Sequence, residues 1–129
     1  MYGDVTFAGK LLLGWQMFSL PMNHPERLRF IARPCSGPCF YRTSMDTDRP
    51  ADTYLDTKGL FKGQVWIGKH NLGRFWCVGP QFTLYTPGPW LSPGTTQLTW
   101  FDLQGAPEER MHSVDAPIEG DVTHERENQ

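Results

Sequence analysis

Between Lys62 and Trp76 the sequence leaves little room for any local structure other than an aromatic-rich β-hairpin. Gln64, Val65, Trp66 and Ile67 are a run of strand formers, Gly68-Lys69 interrupts them, and His70 to Trp76 resumes. A two-residue loop with Gly first suits a type II′ turn, which needs positive φ at that position and has a twist matching the flanking strands. Gly73, inside the second strand, predicts a bulge or a close backbone approach. Trp66 and Trp76 either share a face and bury a large area, or one of them stands free as a platform for a sugar ring.

The remaining sequence extends this pattern. Glycines (13) and prolines (11) are scattered among short apolar runs, which favours many short strands over a few long helices. Strands are expected at Val5 to Phe7, Leu11 to Leu13, Trp15 to Leu20, Phe40 to Thr43, Asp52 to Asp56, Gln81 to Tyr85 and Gln97 to Leu103. Pro25 to Phe30 is expected to form one or two helical turns within a long surface connection. Strands about ten residues apart, separated by turn signals, predict an all-β sandwich or jelly roll. With 129 residues the chain is expected to build one core, in a β-sandwich domain over 1–105 followed by a polar extension over 106–129 that ends in a frayed tail from His124.

Charge and composition narrow the function. A net charge of −2, with no clustered Lys or Arg, lacks the basic surface that nucleic acid requires. No apolar run approaches the roughly 20 residues of a membrane-spanning helix, and no secretory leader is visible. Three cysteines do not form a disulfide framework. Cys35 and Cys39 can close a small loop or remain thiols, and Cys77 reads as a small buried hydrophobe. Zinc lacks a second ligand pair, and calcium, for which Asp46 and Asp48 offer oxygens, lacks a spaced ligand loop. No metal or cofactor is therefore expected.

Catalysis by this chain alone is not expected either. A retaining glycosidase needs two carboxyls roughly 5 Å apart. Asp52 and Asp56, four residues apart on a strand, share a face but are separated by about 13 Å of strand rise. Their plainer reading is hydrogen bonding at turns and strand ends, with Lys58 or Lys62 nearby. No nucleophile elbow or phosphate loop is present. Sugar binding is the sharper idea, because a pyranose stacks its C–H face on an aromatic ring and offers hydroxyls to His, Asn or Arg. Trp66, His70, Asn71, Arg74 and Trp90 are the candidates. Against them stands a structural reading in which Trp66 and Trp76 are core, Asn71 is a turn residue and Arg74 holds strand ends or a neighbouring domain.

Several blocks, in order, resemble the C-terminal galactose-binding-like β-sandwich of the family-thirty-five glycoside hydrolases, the β-galactosidases and their relatives. They run from Gly14-Trp15-Gln16-Met17-Phe18-Ser19-Leu20-Pro21 through Phe40-Tyr41-Arg42 and Pro50-Ala51-Asp52-Thr53-Tyr54-Leu55-Asp56. The hairpin follows, then Gly79-Pro80-Gln81, Thr83-Leu84-Tyr85 and Pro87-Gly88-Pro89-Trp90-Leu91. One departure is the hairpin turn, where the family usually carries Asn-Gly and this sequence has Gly68-Lys69.

The resemblance implies a jelly roll attached to a catalytic (β/α)8 barrel that removes terminal β-linked galactose. Such a barrel needs about 250 residues, so none is contained here, and no residue inherits the barrel's catalytic glutamates. The expected role is a non-catalytic domain that buttresses that partner barrel. The alternative is a freestanding lectin-like module for galactosides. An extracellular, periplasmic or lysosomal location would follow if the chain is like the family.

Overall fold

A computed structural model of the chain describes residues 3–19, 22–31, 35–105 and 111–120. It is all-β, with nine strands, two short 3-10 turns and antiparallel pairing throughout the described residues. The body is a sandwich. One sheet has four strands in the order β3 (Cys39–Thr47), β8 (Gly94–Asp102), β5 (Lys62–Ile67), β6 (His70–Trp76). The facing sheet has three, in the order β7 (Thr83–Thr86), β4 (Thr53–Asp56), β9 (His112–Val114).

The period-two pattern explains how the layers meet. In β5, Gly63, Val65 and Ile67 turn inward and are buried, while Lys62, Gln64 and Trp66 alternate outward. Val65 and Ile67 join Leu55, Leu60, Phe75, Leu84, Leu91, Leu98 and Trp100 in one apolar core between the sheets. Gly63 is required where it stands, since an added Cβ would lie 1.7 Å from the Phe101 carbonyl oxygen. At the end of β8 the fully buried Asp102 accepts hydrogen bonds from the backbone N–H of Phe61 (3.2 Å) and Gln104 (2.9 Å), tying down two loops.

The hairpin forms as its sequence dictates. Ile67 pairs with His70 across Gly68-Lys69, with φ of 54° at Gly68 and Lys69 in the ordinary negative region, which suits type II′. The bulge also falls where Gly73 predicts it. The register shifts between Val65, opposite Gly73, and Trp66, opposite Asn71, and Gly73 adopts a φ of 141°.

Four expectations need correction. Thr6–Phe7 (β1) and Lys10–Leu11 (β2) do form a hairpin, but as a separate two-stranded sheet joined to neither layer. The strand expected at Trp15 to Leu20 does not form over 15–19. Gly14 turns the chain with a φ of 72° and no neighbouring strand offers a ladder, while Leu20 lies outside the described residues. The extension assigned to 106–129 supplies β9, which pairs with β4, and continues to a bridge between Gln81 and Glu119. This polar segment becomes a strand because Val114 accepts a hydrogen bond from the Thr53 side chain (3.1 Å) and Ile118 N–H donates to Thr83 Oγ1 (3.1 Å). Cys77 is partly exposed rather than buried, and it is a free thiol. The tail expected to fray from His124 lies outside the described residues. The 3-10 turn at Pro25–Arg27 agrees with the expected helical turn. Cys35 and Cys39 pair as a disulfide, with Cα atoms 6.5 Å apart.

Candidate functional site

The outward face of the four-stranded sheet gathers three of the five candidate residues. Alternation along β5 and β6 places Lys62 opposite Trp76, Gln64 opposite Arg74 and Trp66 opposite Asn71, all directed away from the core. Gln64 Nε2 donates to Asn71 Oδ1 and ties the two strands on this face. β8 and β3 add Phe101 and Phe40 to the same surface, as a tilted pair with centroids 4.8 Å apart. Phe40 also lies 6.3 Å from the Trp66 ring. An aromatic cluster, Phe40-Phe101-Trp66, thus grades into a polar margin of Gln64 and Asn71.

The other side of this face is cationic. Lys62 Nζ sits 4.5 Å from the Trp76 ring centroid and the Arg74 guanidinium 5.2 Å from it, so both cations stand over one indole. Trp76 remains 36% exposed. Neither Trp66 nor Trp76 belongs to the core cluster, so the reading of both as core residues fails. Their shared face is the outer one. Arg74 meets Trp76 of its own strand.

His70 and Trp90 are elsewhere. His70 pairs with Ile67 at the hairpin tip, whose side chain points inward, so it faces away from Asn71. Its ring stacks on Trp90 with centroids 4.5 Å apart and planes 11° from parallel. One face of the Trp90 indole is therefore covered. Trp90 closes the 3-10 turn Gly88–Trp90, and Asp52 holds that turn in place. The Asp52 carboxylate accepts from Gly88 N–H (2.8 Å) and from the Tyr85 hydroxyl (2.7 Å). The Gly88 hydrogen bond first, then that of Tyr85, lowers the Asp52 pKa below the usual carboxylate range, and the same contact raises that of Tyr85. A side chain at Gly88 would come within 2.8 Å of the Ala51 backbone, so glycine is what lets the turn pack there.

The carboxylates are placed for structure. Asp56 accepts from Lys58 N–H (2.8 Å) and lies 3.4 Å from His112 Nε2, while Asp46 accepts from the Thr95 hydroxyl (2.6 Å). With Asp52 engaged by Tyr85 and Gly88, the pair Asp52 and Asp56 is spent on separate strand-end contacts. Phe40, Phe101, Lys62 and Gln64 were not among the candidates. The alternation Lys62-Gln64-Trp66 against Gly63-Val65-Ile67 was a signal that could have found the two polar ones. Phe40 and Phe101 reach this face only through long-range pairing.

A concavity lies between the layers, apart from that face. It is a cleft of about 510 Å³ lined by Thr43, Met45, Leu98, Trp100, Met111 and His112, with Ser44, Leu55 and Ser113 completing it.

Residues 38–96 match a family described as "Beta-galactosidase, galactose-binding domain". The chain is 40% identical over 96 residues to a protein named "Beta-galactosidase" from Xanthomonas manihotis, covering 74% of this chain and 15% of that one. It is 48% identical over 110 residues to "Beta-galactosidase-1-like protein 2" from Homo sapiens, covering 79% and 17%. Against "Beta-galactosidase" from Bos taurus it is 30% identical over 131 residues, covering 83% and 20%. The chain thus spans about one-fifth or less of the length of these curated relatives.

Proposed function

We propose, from the match of residues 38–96 to the galactose-binding domain of β-galactosidases, that this chain is the non-catalytic accessory sandwich of a β-galactosidase-like glycoside hydrolase. Its role there is to buttress a catalytic (β/α)8 barrel and shape access to it, the parent activity being hydrolysis of terminal β-galactosides. The proposed unit is a sandwich domain over 1–105, with the following segment lending β9 to its smaller sheet. The observation that carries the reading is coverage. The chain aligns to between 15% and 20% of these relatives' lengths. The chain is also shorter than the roughly 250 residues a barrel requires. Incubating the purified chain with an aryl β-galactoside should give no turnover above buffer. Turnover that survives repurification overturns the proposal.

The outer sheet face favours a second reading, a module that binds β-galactosides directly. Trp66 beside Phe40, with Asn71 and Arg74 at its margin, combines an apolar ring surface with hydroxyl-directed groups. Titration with lactose discriminates the two. Saturable binding lost in Trp66→Ala, with the fold intact by circular dichroism, supports the module, and a flat titration supports the buttress. His70 and Trp90, being stacked on each other at a distance from this face, predict little loss in Trp90→Ala.

A further inference from the structure

The outer face of the four-stranded sheet is not bare across its whole width. β3 sends Phe40 and Arg42 outward and Tyr41 inward, where its ring stacks on core Trp100. Arg42, Thr99 and Trp66 stand side by side in one row, because Thr99 of β8 pairs with Arg42 on one flank and with Trp66 on the other. Thr99 points outward, like Phe101 on the same strand, yet it is only 2% exposed. This row of the face is therefore covered.

Arg42 also grips the segment that precedes β3 in the chain. Its guanidinium donates to the Pro25 carbonyl (2.8 Å) and lies 4.0 Å from the Phe30 ring centroid, so one side chain of the sheet holds both ends of the Pro25 to Phe30 stretch. The turn between them carries its own hydrogen bonds, from Arg27 N–H to the His24 carbonyl (3.1 Å) and from Leu28 N–H to the Pro25 carbonyl (3.2 Å). Those bonds travel with the segment if it leaves the sheet. The grip is incomplete, since Arg42 Nε is buried with no hydrogen-bond partner among the described residues. A buried donor in that state costs free energy, which narrows the gap between a closed and an open position.

We propose that segment 22–31 is an autoinhibitory strap, which in its closed position occupies Arg42 and which a galactoside on the Trp66 and Phe40 rings displaces by taking Arg42 for itself. The inference rests on the second reading above, in which this face takes galactosides. A guanidinium presents a fixed fork of N–H donors, suited to neighbouring hydroxyls of a pyranose. Arg42 stands about 10 Å from Trp66 by strand spacing, across Thr99, and beside Phe40 on its own strand. Strap closure and sugar binding then compete for one side chain. By linkage, weakening the strap tightens the sugar, and the sugar in turn opens the strap.

Lactose titration and timed trypsin digestion of the 129-residue chain test this together. Phe30→Leu, which removes the ring beneath Arg42, should tighten lactose binding roughly two- to fivefold, the worth of one cation–π contact, with unchanged circular dichroism. Phe30→Ala should act in the same direction. In the wild type, saturating lactose should speed cleavage after Arg27 and Arg29, both exposed in the strap, and leave cleavage after exposed Lys58, between β4 and β5, as it was. A wild type that binds lactose while the Phe30 variants bind no tighter overturns the strap and leaves the module reading standing. Strap cleavage that lactose leaves unchanged or slows does the same. Binding seen only in the Phe30 variants supports a strap that closes firmly. Flat titrations in wild type and variants alike overturn the module reading, and the strap with it.

Discussion

The arm at 11–18 and the hairpin at 62–76 both carry large apolar side chains, yet those of the arm are exposed while Val65, Ile67 and Phe75 of the hairpin enter the core. Met17 is 94% exposed and Phe75 only 2%. Hydrophobicity does not distinguish them. The hairpin has a turn that fixes its register, a neighbour in β8 and a facing sheet, whereas the arm beyond Leu11 has a φ-positive Gly14 and enters no ladder among the described residues. Burial follows pairing, and pairing follows turn chemistry and long-range topology.

That contrast can be broken from either side. Phe75→Ala should produce the largest effect, a loss of about 3–5 kcal/mol in denaturant unfolding, because the ring is enclosed on every side. A loss below roughly 1 kcal/mol would show that the hairpin is no more buried than the arm. Gly63→Ala should follow, costing about 1–3 kcal/mol as the new methyl forces β5 from the Phe101 carbonyl. Asp52→Asn should cost less and should do so in a pH-dependent way. The folded-state pKa of Asp52 is depressed, so its contribution is present above the ordinary aspartate pKa and is lost as pH falls through the lower folded value. Melting curves of variant and parent should therefore differ at neutral pH and converge in acid. Smallest of all, Met17→Ser should shift stability by no more than about 0.5 kcal/mol, since the side chain is 94% exposed.

Local chemistry made the hairpin legible. Gly68-Lys69 set the turn, Gly73 set the bulge, and the all-β sandwich follows from strand spacing. β9 was not legible, because His112–Val114 lacks an apolar run and is a strand only by virtue of β4 beside it. The candidate site divides in the same way. Trp66, Asn71 and Arg74 could be placed together from the hairpin register alone. His70 reaches Trp90 across twenty positions of chain, through a turn that Asp52 and Gly88 fix, and nothing near either residue announces that meeting. The cleft was invisible for a similar reason, since its walls come from strands far apart in the chain.

The enclosed Asp102 has an evolutionary consequence. Its two donors are main-chain amides, which every amino acid except proline supplies. Positions 61 and 104 are thereby at liberty to drift among nearly all residue types without disturbing the clasp, while position 102 itself is locked to a side chain able to receive two amides at once. Descendants of this chain should vary at 61 and 104 more readily than at 102.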